Sequence, residues 1–135
     1  MRYNLKIHDK AKLRNDLETI TLGANDVSKL VTATYLYLGD GPFLVYEDIL
    51  KNDLHRLALT VQLGTIIAIQ VPDYRAICFD IGTGKLDVAR LNNIINYEYK
   101  FVEDLYYFEE MFKEGGFKMV TKELDNHKML IEVST

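Results

Sequence analysis

The sequence predicts an α+β domain built on a mainly antiparallel sheet with helices packed on one side. Three observations predict it. Short runs of period-two alternation recur along the chain, a single aromatic stripe keeps helical spacing near the C-terminal end, and Gly, Pro and Asn clusters punctuate the intervals. At 135 residues, 48% of them hydrophobic and with only two prolines, the chain is expected to form one packed domain over residues 1–135 rather than a disordered segment. Such a length buries enough surface to need no metal or disulfide staple.

Arg2 to His8 sets Tyr3, Leu5 and Ile7 against Arg2, Asn4 and Lys6, the pattern of a half-buried strand. Leu13, Leu17 and Ile20 then fall at helical spacing within Lys10 to Ile20, and Gly23 would stop that helix. Asn25-Asp26 could cap a helical turn, while Val31 to Leu38, rich in Thr, Tyr and Val, favours a strand. Gly39-Asp40-Gly41-Pro42 is a turn signal, and a short helix is expected around Glu47 to Lys51, with Tyr46, Ile49 and Leu50 on one face. Thr65 to Val71 is apolar on both faces, as a central strand should be. Arg75 to Ile81 alternates Ile77, Phe79 and Ile81 with Ala76, Cys78 and Asp80, and Leu86, Val88 and Arg90 continue beyond Gly82-Thr83-Gly84. Three strands on short turns make an antiparallel meander. Phe101, Leu105, Phe108 and Phe112 form the stripe of a helix over about Val102 to Lys113, ended by Gly115-Gly116. Lys118 to Leu124 and Lys128 to Val133 flank Asp125-Asn126 as a hairpin.

Charge and composition exclude several function classes. The formal charge is −4, from 16 basic and 20 acidic residues, with no cluster of Lys and Arg, so no nucleic-acid partner is expected. The longest aliphatic run, Ile66 to Ile69, is far short of the ~20 residues of a membrane span, and Met1 to Lys12 holds no signal-peptide core. A lone cysteine, Cys78, forms no internal disulfide and suits the cytoplasm.

No catalytic constellation stands out, and no cofactor or metal is expected. Asp80-Ile81-Gly82-Thr83-Gly84 is similar to the first phosphate loop of the actin, hexokinase and heat-shock ATPases, whose glycines let backbone N–H groups approach an anion. That fold needs two large lobes, for which the chain has no room, and a turn between strands explains the same residues. His8, His55 and His127 are scattered without metal-ligand spacing. Asp53 and His55 could pair for acid–base work, with Asp80 as a third group, but no nucleophile accompanies them. Cys78 suits a small buried hydrophobe.

Surface composition is more suggestive. Nine tyrosines accompany many acids, and Tyr97, Tyr99, Tyr106 and Tyr107 are interleaved with Glu98, Glu103, Asp104, Glu109 and Glu110. A solvated helix face accounts for this pattern as well as a docking surface for a basic protein does.

The middle of the chain resembles the SUKH superfamily. Phe43-Leu44-Val45-Tyr46-Glu47-Asp48-Ile49 resembles its strand and acidic-ended helix. Ile66 to Ile69 is similar to its central strand, and Ala76-Ile77-Cys78-Phe79-Asp80 to the strand closing on aspartate. Thr83-Gly84-Lys85-Leu86 resembles its outgoing turn, and Phe108-Glu109-Glu110-Met111-Phe112 its closing helix. The resemblance spans roughly residues 43–112, leaving residues 1–42 and 117–135 outside it. It implies a non-enzymatic immunity protein that neutralises a basic cognate toxin, such as a nuclease, in the cytoplasm. The partner-binding candidates are then Asp73, Tyr74, Asp87, Glu98, Tyr99, Glu103, Tyr106 and Glu110. Two alternatives remain open at this point: a small enzyme using Asp53, His55 and Asp80, and a self-assembling structural or phage protein pairing through an edge strand at Lys128 to Val133.

Overall fold

The computed structural model describes residues 1–7, 11–40, 47–72, 74–87, 89, 105–125 and 128–135. Its strands are β1 (Arg2–Leu5), β2 (Glu18–Ile20), β3 (Tyr35–Asp40), β4 (Ile66–Pro72), β5 (Lys118–Asp125) and β6 (Lys128–Ser134). Its helices are α1 (Val27–Thr32), which follows a 3₁₀ turn at Ala24–Asp26, then α2 (Glu47–Thr60), α3 (Tyr74–Gly82) and α4 (Leu105–Glu114).

All six strands join one sheet in the order β2-β1-β3-β4-β6-β5. Helices and a sheet are both present, as expected, but the sheet is mixed instead of mainly antiparallel. β2, β1, β3 and β4 run parallel, β6 pairs antiparallel to β4, and β5 pairs antiparallel to β6. Parallel neighbours need a crossover rather than a tight turn, and α1 and α2 lie in the connections into β3 and β4.

Three sequence expectations hold. β4 is a central strand, with Ile67, Ala68, Ile69 and Val71 fully buried. The C-terminal hairpin forms with Asp125 opposite Lys128, its tip at residues 126–127 lying outside the described residues. The helix before it ends at the two glycines: Gly116 takes φ +94°, a conformation costly for residues with a Cβ, and Phe117 N–H donates to the Phe112 carbonyl at 2.9 Å.

Other expectations fail. Arg75 to Ile81 is helix α3, not a strand, so the antiparallel meander does not exist. Strand alternation would put Ile77, Phe79 and Ile81 on one buried face, yet Ile77 is buried while Phe79 is 64% exposed. A run this short fits both periods, and a parallel sheet favours the helix. The turn at Gly82 to Gly84 belongs to the end of that helix: Thr83 N–H donates to Phe79, and both Lys85 and Leu86 N–H donate to the Asp80 carbonyl. Asp80 to Gly84 is therefore a helix end, not a phosphate hairpin between strands. The helix around Glu47 to Lys51 does form, but it extends to Thr60.

The expected helix over Lys10 to Ile20 is also absent. Described from Ala11 onward, this stretch makes an isolated β-bridge at Lys12 and a turn at Asn15-Asp16 before it enters β2. Asn4 explains the difference. Its side-chain amide donates to the carbonyls of Arg14 (2.7 Å) and Leu17 (3.2 Å), and its Oδ1 accepts from Arg14 N–H (3.1 Å). Those backbone groups would otherwise serve the helix, and Asn-Asp pairs favour turns.

The sheet's two faces differ. Tyr3, Leu5, Leu36, Leu38, Ile67, Ile69, Val71, Met129, Ile131 and Val133 belong to the main core cluster, together with Leu30, Leu54, Leu57, Met111 and Phe112 from α1, α2 and α4. The alternate positions carry Arg2, Asn4, Tyr35, Tyr37, Ala68, Gln70, Glu132 and Ser134, which the register places in cross-strand rows. No long apolar helix of membrane-spanning character occurs among the described residues.

Candidate functional site

Strand order locates the natural binding crevice. From β1 the chain moves outward to β2, then returns to place β3 on the other side of β1. In open parallel sheets, ligands bind outside the carboxyl ends of the strands where the order reverses. Here that switch point lies between β1 and β3, at Leu5 on one side and Gly39-Asp40 on the other.

A bulge shapes the β3 end. The pairing register with β4 shifts between Tyr37 and Asp40, and Gly39 sits there with φ +109°. The returning β1–β2 connection packs directly on it. A Cβ at Gly39 would fall 3.1 Å from Ala11 Cβ, 3.1 Å from the Lys12 carbonyl oxygen and 3.2 Å from Leu13 Cδ2. Both the positive φ and the crowding therefore call for glycine. The same connection is anchored at Arg14 and Leu17 by Asn4, which is only 1% exposed and is held by the three bonds already described.

Around this anchor the face is polar. The Arg2 guanidinium lies 4.5 Å from the Tyr35 ring centroid, close enough for a cation–π contact. Burial, reinforced by Glu132, pushes the Tyr35 phenol above its ordinary range. Arg14 forks onto Asp16 through Nε (3.0 Å) and Nη2 (2.7 Å), which holds the Asp16 carboxyl below its usual range. Tyr37 donates to Gln70 Oε1 at 3.2 Å, linking β3 to β4 just before the bulge. Lys29 meets Glu18 at 2.6 Å beside β2. The Arg2–Tyr35 and Lys29–Glu18 contacts lie at the amino ends of β1, β3 and β2, and the Tyr37–Gln70 bond lies nearer the bulge. No group of three His, Cys, Asp or Glu side chains suited to a metal occurs among the described residues.

The described sequence-predicted partner residues belong to none of β1, β3 or the β1–β2 connection. Asp87 follows α3 and Glu110 lies on α4, both exposed. Tyr74 begins α3 and Tyr106 lies in the first turn of α4. Asp73, Glu98, Tyr99 and Glu103 lie outside the described residues. Of the alternative enzyme site, Asp53 and His55 belong to α2 and Asp80 to α3, with β4 between them in sequence. Cys78 is exposed rather than buried. The edge-strand alternative fails outright: β6 is paired on both sides, by β4 and β5, so Lys128 to Val133 is no free edge. Sequence reasoning missed Asn4 and Gly39. Asn4 falls on the polar side of the β1 alternation beside Arg2 and Lys6, so no local signal marked it as buried.

No family model matches the chain, and no curated protein matches it in sequence. Solved structures do share its fold. An O-methyltransferase family protein from Burkholderia thailandensis matches over 87% of this chain and 35% of its own, with TM-score 0.53 and 10% identity. The N,N-8-amino-8-demethyl-D-riboflavin dimethyltransferase RosA from Streptomyces davawensis matches over 87% and 34%, with TM-score 0.54 and 12% identity. LepI, solved in complex with SAM, matches over 98% and 36%, with TM-score 0.55 and 10% identity. The chain thus spans little more than a third of the length of these three proteins. At such identities the likeness establishes fold.

These likenesses correct the functional expectation. The neighbours named here are methyltransferases and a SAM-bound protein, so an immunity-type toxin inhibitor and a non-enzyme are both replaced as readings of this chain. The segment compared with a SUKH strand at Ala76 to Asp80 is helical, which removes one of the motifs behind that expectation.

Proposed function

We propose that the chain is a methyltransferase-type domain acting in methyl transfer from S-adenosylmethionine. The observation that carries this reading is the sheet order, four parallel strands reversing between β1 and β3 and closed by an antiparallel β6. The likeness to methyltransferases across almost nine-tenths of the chain supports it. S-adenosylmethionine brings its own activated methyl group and thioether leaving group, so a protein's share of the work is binding and orientation. The cytoplasm remains the proposed compartment, on the single exposed cysteine.

Among the described residues, the packing at Gly39 leaves no room for the cofactor directly over the β3 bulge. A planar base needs a gap of about 7 Å, two van der Waals contacts, between the surfaces it separates. At Gly39 the facing segment stands too close for even one added methyl carbon to fit comfortably. Residues 6–17, which follow β1, also contain no glycine to let backbone approach a ligand. No catalytic step is therefore assigned to individual side chains.

Thermal unfolding with S-adenosylmethionine or S-adenosylhomocysteine at millimolar concentration tests the proposal. Tm is expected to rise with the logarithm of either ligand's concentration, and to stay flat with ATP or NADH. Equal, negligible responses to all four in the wild-type chain and in variants with a loosened β1–β2 connection would refute it.

A further inference from the structure

We draw no further inference here: the strongest candidate, the exposed apolar patch of Leu59 and Leu63 at and just beyond the C-terminal end of α2, carries nothing because no feature of the described residues shows what covers it.

Discussion

Leu38 and Tyr37 are neighbours on β3, and they meet opposite sides of the sheet. Leu38 enters a cluster built from five strands and three helices, where it is fully buried among aliphatic and aromatic side chains. Tyr37 is almost as buried, at 6%, but its hydroxyl reaches Gln70 and its row holds Asn4 and Ala68. One face is stabilised by area removed from water, which is non-directional and tolerates repacking. The other depends on specific partners, so losing one group orphans another. This contrast explains where a ligand crevice can exist. The apolar face is filled by α1, α2 and α4, whereas over β1 and β3 the polar face meets the β1–β2 connection, which packs on Gly39 and is bonded to the Asn4 amide.

If the contrast is right, the largest effect comes from the apolar face. Leu38→Ala is expected to cost about 2–5 kcal/mol in chemical denaturation, the range for emptying a fully buried leucine site. A loss under about 1 kcal/mol would mean that this face is loosely packed. Across the sheet, Tyr37→Phe keeps the ring and deletes one hydrogen bond, so about 0.5–1.5 kcal/mol is expected by the same measurement. A cost equal to that of Leu38→Ala would erase the distinction between the faces.

The smallest effect is a pH dependence at the sheet margin. Asp26 Oδ2 accepts from Thr21 N–H (2.8 Å) and Thr21 Oγ1 (3.0 Å), and the backbone bond first of all holds its carboxyl below the ordinary carboxylate range. A depressed folded-state pKa stabilises the protein at pH above the unfolded carboxylate value. That contribution fades as pH falls through the lower folded value. Asp26→Asn should therefore lower Tm slightly at neutral pH and converge with the wild type at acid pH, flattening the acid limb, with a small effect because the site is exposed. An unchanged acid limb would show that Thr21 and Asp26 do not interact in solution.

Some elements were legible because local pattern and tertiary role agree. β4 is apolar on both sides of its pleat, the hairpin at Asp125 to Lys128 carries its own turn residues, and Gly115-Gly116 ends α4 through backbone freedom alone. Arg75 to Ile81 was not legible, since a run of that length satisfies strand and helix periods alike, and crossover geometry decides between them. Nor was the crevice. Asn4 and Gly39 lie far apart in sequence, and their joint grip on residues 11–17 exists only once β1 and β3 pair in parallel.

The sequence by itself determined which residues avoid water and where the chain must turn, because hydrophobicity, helical spacing and glycine freedom act over a few neighbouring residues. Only the tertiary structure decided strand order, strand direction and the packing of Ala11, Lys12 and Leu13 on Gly39. Those depend on which distant segments exchange backbone hydrogen bonds, and the same local pattern is compatible with several such pairings.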